Sequence, residues 1–257
     1  MDSKNKNIPK LRFPEFSGEW EEKKLGDVYS FHQTNSLSRA NLNYESGEIK
    51  NIHYGDIHTT FKANFNVLRE KVPYINASED LTKFKDDNFC KEGDLVIADA
   101  SEDYKDIGKA IEIINLNNEK LVAGLHTYLA RPNIKIAKGF SGYLMQTDKC
   151  RRQVMRLANG ISVLGISKTN LGKVFIDLPQ KQEQEKIANF LSAVDGRIEK
   201  LQEKKSLLED YKKGVMQKLF NGKWLMVNDK LEFQPPTHRF KPDNNSQLTT
   251  NNSQLPY

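Results

Sequence analysis

The stretch from Pro179 to Gly222, PQKQEQEKIANFLSAVDGRIEKLQEKKSLLEDYKKGVMQKLFNG, carries a hydrophobic repeat that few folds can accommodate. Ile187, Val194, Leu201, Leu208 and Val215 recur every seven residues, and Leu191, Ile198 and Leu219 take the second seam position between them. A period of 3.5 residues belongs to a coiled-coil seam, narrower than the stripe of a helix packed on its own domain. Eight of the ten seam positions are apolar, which a merely solvated, charge-alternating helix does not require. Pro179 stands just before the start, Glu183 and Glu185 load the first turn with negative charge, and Asn221-Gly222 is a stop signal. From Gln182 to Leu219 such a helix is roughly 57 Å long, enough to act as a spacer. Lys205 and Lys212 interrupt the second seam position, where a charge costs stability but fixes register. Gly196 and Gly214 read as sites of close helix contact.

Upstream the pattern changes. Apolar runs of four to seven residues and longer (VPYI, DLVIADA, KAIEII, LVAGLHTYLA, KVFIDL) are separated by Gly, Asn, Asp and Ser clusters, as in a mostly β domain. One stretch differs: in GFSGYLMQTDKCRRQVMRLAN, Tyr143, Leu144, Cys150, Val154, Met155 and Leu157 recur at helical spacing. This predicts a helix over 139–158 with Arg151, Arg152 and Arg156 on its polar side. The fold class is therefore α+β, a mostly β domain with a few helices followed by one long coiled-coil-forming helix. Residues 1–22 form a lead-in whose first ten or so are lysine-rich and frayed, 23–179 the domain, 180–222 the long helix, and 223–257 a polar tail. In that tail only KWLMVNDKLEF offers a weak apolar run, and the composition predicts that it is largely disordered.

Chemistry is harder to find. GxGxxG, GxxxxGK[ST], HExxH and GxSxG are all absent from the sequence. Asp94, Asp99, Glu102, Asp103 and Asp106 crowd beside Lys105 and Lys109, and a metal-dependent nuclease centre can be drawn through them, although charged loops arise this way routinely. His32, His53, His58, His126 and His238 lack ligand spacing, and Cys90 and Cys150 read as reduced thiols of a cytoplasmic protein, so no metal site is expected. Neither a signal peptide nor a membrane span is expected. The net charge of +5 suits a polyanionic partner. Four loops mix basic, amide and aromatic side chains suited to phosphates and base edges. They supply the DNA-contact candidates Arg39, Tyr54, His58, Lys62, Ser101, Tyr104, Lys105, Lys109, Asn159, Ser162 and Lys168. Arg151, Arg152 and Arg156 are either phosphate contacts or plain helix surface.

These residues converge on a resemblance. LRFPEFSGEWEEKKLGDV is similar to the start of a target-recognition domain in the specificity subunits of type I restriction-modification systems. KEGDLVIADASEDYKDIGKA, with Gly93, Asp94, Gly108 and Lys109, resembles that family's Gly-Asp-aliphatic run and its Gly-Lys, and LVAGLHTYLARP its later strand. The passage from NGISVLGISKTNLGKVFIDLP into the long helix, with Glu183-Gln184, Ile187, Leu191, Asp195 and Ile198, resembles the step from recognition domain to spacer helix. The likeness spans about residues 11–220. It implies a non-catalytic subunit that reads double-stranded DNA and assembles with methyltransferase subunits and a restriction-motor subunit. S-adenosylmethionine, ATP and magnesium would be held by those partners, with no cofactor in this chain. Family members carry two recognition domains joined by two antiparallel helices; this chain has one of each. The resemblance therefore implies self-association, or pairing with another half-size subunit, through Ile187, Leu191, Val194, Ile198, Leu201, Leu208, Val215 and Leu219. A coiled-coil adaptor without DNA binding is the alternative from a different class.

Overall fold

The computed structural model describes residues 7–220 together with the backbone of 223–227 and 230–234. His238 and the stretch 235–257, where disorder is expected, lie outside the described residues. The chain divides into two units at Ala193/Val194.

The first unit is built on a five-stranded sheet in the order β2 (Tyr29–His32), β11 (Thr127–Pro132), β7 (Leu95–Ala98), β9 (Ala110–Asn115), β5 (Asn64–Asn66). All neighbours are antiparallel except β5 and β9. The run LVIA of β7 has no polar position because both faces are covered. Leu95 and Ile97 enter the core shared with α1 (Leu25–Val28) and α4 (Asp148–Leu157), while Val96 and Ala98 enter a second core with Ile57, Phe61 and Phe65. A four-stranded sheet, β10 (Lys120–Ala123), β4 (Ile49–Ile52), β6 (Tyr74–Ile75), β3 (Leu42–Asn43), lies beside it, with β10 parallel to β4. Two short antiparallel pairs complete the unit: β1 (Glu21–Lys24) with β13 (Phe175–Leu178), and β8 (Ala100–Ser101) with β12 (Leu164–Gly165).

The motifs GD and ARP are joined by an ion pair: Arg131 places Nε 3.0 Å from Asp94 Oδ1 and NH2 2.8 Å from Oδ2, with the carboxylate buried. Gly108 adopts φ +63°, and a Cβ there would collide with Val154 of α4, so a glycine is needed before Lys109.

The helix expected over 139–158 is two helices, α3 (Phe140–Leu144) and α4. Thr147 makes the break: its hydroxyl donates to Leu144 O (2.8 Å) at the end of α3 and accepts from Cys150 N at the start of α4. The start of α3 is tied to β9 by Glu112, whose buried carboxylate accepts from Gly139 N (2.6 Å) and Gly142 N (2.9 Å). Burial pushes this carboxyl up to about 7 against those hydrogen bonds. A folded-state value above the unfolded one means that its contribution is full below about pH 4.5 and is lost as pH rises through about 7. Urea midpoints should therefore show that Glu112→Gln gains about 2 kcal/mol on the wild type between about pH 5 and pH 8; a constant difference would contradict this.

The lead-in docks on the start of the long helix, α6 (Lys181–Phe220). Arg12 and Trp20 both bind Glu183, Phe13 meets Phe190 edge to face at 5.7 Å, and Leu191 lines the groove between them. Ile187 packs against the first unit's core. Ile187 and Leu191 thus contact their own domain, and the seam open to a partner begins at Val194.

In the second unit α6 continues, with Val194, Ile198, Leu201 and Leu208 exposed and Val215 and Leu219 partly buried. A Cβ at Gly196 or Gly214 would meet nothing within 4 Å among the described residues, so the close contact expected of them is not made by those residues. The weak apolar run after Gly222 pairs as a hairpin, β14 (Lys223–Val227) with β15 (Lys230–Gln234), where disorder is the expectation from composition. Alternating Trp224, Met226, Leu231 and Phe233 supply a period-two pattern.

Candidate nucleic-acid interface

Loops far apart in sequence meet around α2 (Tyr54–Thr59), at the ends of β4, β7 and β10. Its N-terminus is fixed by His53, whose Nδ1 accepts from Gly55 N at 3.1 Å. Tyr54 stands among three imidazoles, with ring centroids 4.7 Å from His53, 5.7 Å from His58 and 5.3 Å from His126. His126 holds its place in a left-handed backbone conformation (φ +55°) with Nδ1 3.4 Å from Asp99. Arg39, from the preceding loop, grips the Asp56 carboxylate with two bonds (2.9 and 2.8 Å) and reaches Tyr44 Oη at 2.9 Å. That carboxylate holds the guanidinium further toward its charged form. Burial pushes both His53 and His58 below the ordinary imidazole value.

Two further segments border this centre. From the loop 102–109, Lys109 Nζ donates to His58 O (2.9 Å) and pairs with Asp106 (2.6 Å). Tyr104 and Lys105 of the same loop are exposed. Arg151, on α4, fastens the loop by donating NH2 to Lys105 O (3.0 Å) and Ile107 O (2.7 Å). On the other side, Lys168 lies 5.3 Å over the Tyr128 ring, and Tyr128 Oη donates to Ile166 O at 3.0 Å. The loop between Asn159 and Gly165 is closed by their mutual backbone bonds (2.9 and 2.7 Å). Gly160 adopts φ +138°, where a Cβ would strike Val163 O, so the turn requires glycine. It holds Ile161, Ser162 and Val163 out in solvent.

The fold therefore brings Arg39, Tyr54, His58, Lys109 and Arg151 into one linked set. Tyr104, Lys105, Asn159 and Ser162 stand on the loops around it, and Lys168 opens the short helix α5 (Lys168–Gly172). Ser101 is corrected: it is buried, and its hydroxyl is engaged with Asp103 O (2.9 Å) and Asp103 N (3.0 Å), closing the loop instead of facing outward. Lys62 belongs to the turn after α2, its amide donating to Glu70 Oε1 (3.3 Å). Arg152 pairs with Asp148 one helical turn away, and Arg156 is exposed on α4. Sequence reasoning missed His53, His126, Ile161 and Val163 at this face. The paired histidines of HYGDIH were the available signal for the first.

The crowded carboxylates do not form one centre. Asp94 is held by Arg131, Asp99 faces His126, Asp103 accepts from Lys105 N (2.8 Å), and Asp106 pairs with Lys109. Among the described residues no three His, Cys, Asp or Glu side chains are grouped so as to hold a metal. Cys90 and Cys150 are free and buried. No helix of the described residues is long and apolar enough to cross a membrane.

Two sheets that share a core carry a loop face of paired charges and aromatic rings, and the domain leads into a long helix with an open apolar seam. Residues 17–209 match the family described as the type I restriction modification DNA specificity domain, and the chain belongs to it. A protein of Methanocaldococcus jannaschii provisionally assigned as the type I restriction enzyme MjaX specificity subunit is 27% identical over 224 residues, covering 84% of this chain and 49% of its own. The MjaVIII specificity subunit of the same organism is 27% identical over 231 residues, covering 87% and 51%. The crystal structure of a type I S subunit from M. genitalium superposes with a TM-score of 0.54 at 17% identity, covering 82% of this chain and 48% of that one. The chain thus spans about half the length of the curated relatives it matches and carries one recognition domain.

Proposed function

We propose that this chain is the DNA-reading part of a type I restriction-modification complex, with one recognition domain reading one half of a bipartite target. What supports the reading is the convergence of Arg39, Tyr54, His58, Lys105 and Lys168 on one face of a chain that belongs to the specificity-domain family. Tyr54 and the imidazoles offer aromatic rings to bases, Ile161 offers an apolar contact of the kind a thymine methyl accepts, and the lysines serve phosphates. The chain itself is non-catalytic in this reading. Methyltransferase subunits dock on it and hold S-adenosylmethionine, and the restriction-motor subunit holds ATP and magnesium. Two copies paired antiparallel through the seam of α6 restore two recognition domains, and a two-fold assembly reads an inverted repeat.

Mapping methylated adenines by single-molecule sequencing in strains with and without this gene, the methyltransferase subunit being retained, tests the reading. One bipartite motif should vanish on deletion, and it should be an inverted repeat if the subunit pairs with itself. An unchanged methylome with both proteins expressed would favour the adaptor alternative. A narrower expectation concerns Lys105, on the exposed loop. Lys105→Ala should weaken binding to duplexes of any sequence and lower the slope of log K against log salt by about one. An unchanged slope would remove Lys105 from phosphate contact.

A further inference from the structure

Between α2, the start of β9 and α4 lies a cavity of about 420 Å³, with His58, Thr59, Phe61, Lys109, Gln146 and Arg151 in its wall. Two buried nitrogens there, Arg151 NH1 and His58 Nε2, have no hydrogen-bond partner among the described residues. Arg151 uses NH2 for two backbone carbonyls, and the acid whose charge acts on it, Asp106, is engaged with Lys109 at 2.6 Å. Arg151 and Lys109 set against Asp106 leave one positive charge in a half-buried pocket. A guanidinium taken out of water without a bonded counter-ion is costly, and so is a buried donor without an acceptor. A phosphate oxygen satisfies both: it accepts from Arg151 NH1 and from His58 in its Nε2–H tautomer, and it supplies the missing charge.

We propose that this cavity is a phosphate socket that receives one backbone phosphate of the bound DNA, with Arg151 as its central donor. The inference rests on the DNA reading and deepens it. Lys109 joins the same pocket to α2 through His58 O.

The test uses the full chain, duplex DNA and inorganic phosphate. Arg151→Gln and, separately, Thr59→Tyr, which crowds the mouth while leaving Arg151 and its two carbonyl bonds in place, are compared with the wild type. Each should bind duplexes about tenfold more weakly whatever their sequence, with a salt slope lower by about one. If Arg151→Gln fails to fold, Thr59→Tyr decides alone. A wild type that binds DNA alongside variants of unchanged affinity and slope overturns the socket and leaves the DNA reading standing. A wild type that binds no duplex overturns the DNA reading, and inorganic phosphate then decides on the socket. A shift of the His58 imidazole resonances that is lost in Arg151→Gln retains it for a free phosphate, and no shift overturns it.

Discussion

Arg12→Ala should lower the free energy of unfolding by about 3 kcal/mol, more than any substitution on the proposed DNA face. Arg12 is bidentate to Glu183, with Nε 2.8 Å from Oε1 and NH2 2.6 Å from Oε2, while the carboxylate is only 1% exposed. Removing the guanidinium leaves a buried charge whose remaining side-chain donor is Trp20 Nε1 at 3.3 Å, a long bond. The positive end of α6 offsets part of that cost, because Glu183 lies in its first turn. Arg12 also holds the lead-in closed by donating to Gly18 O and Ser17 O. The asymmetry between breaking a buried pair and replacing it gives a second expectation: Arg12→Met with Glu183→Leu should recover most of the loss. Urea denaturation measures both. A cost below about 1 kcal/mol for Arg12→Ala would mean that the pair behaves as an exposed one.

The long helix was legible because its seam repeats over several heptads, and periodic signals survive any tertiary context. The β runs were legible for the related reason that LVIA and KAIEII are too apolar for loops. What the sequence did not carry was the direction of single side chains. Arg151, Arg152 and Arg156 look equivalent on a helical projection. Yet Arg151 turns inward to two carbonyls of another loop while Arg152 pairs with Asp148 in solvent. Thr147 splits the expected helix because a hydroxyl can cap one helix while closing another, and helical periodicity does not register that. Ser101 falls in a loop by composition, but its pairing to Leu164 across β8 and β12 buries it. The convergence of residues 39, 54, 58, 109, 126 and 168 depends on which strand ends lie side by side, which only the sheet order determines. The same holds for Ile187 and Leu191. They satisfy the seam repeat yet touch the lead-in and core of their own unit, because a heptad cannot distinguish a partner helix from a neighbouring loop.

Leu201→Asp should turn the proposed dimer into monomers and raise its dissociation constant by at least about 100-fold, which corresponds to roughly 3 kcal/mol. Leu201 is 56% exposed, between Ile198 and Leu208, which are also exposed. In a two-fold pair each of these positions is buried twice, so one substitution places two carboxylates in an apolar interface. No loss of fold is expected from the change, because Leu201 lies outside the three cores of buried side chains among the described residues. Lys205 pairs with Glu209 along its own helix at 3.8 Å, so the charge already at a seam position has a neighbour to lean on. The introduced carboxylate would have Lys205 one turn along, but an i,i+4 pair returns only about 0.5 kcal/mol, far less than the cost of drying two such charges. Sedimentation equilibrium at micromolar concentration distinguishes the outcomes. Dimers persisting in Leu201→Asp would move the interface off this seam. Monomers in which the methylated inverted repeat also disappears from the host genome would tie pairing of α6 to the reading of both half-sites, since a single recognition domain can specify only one.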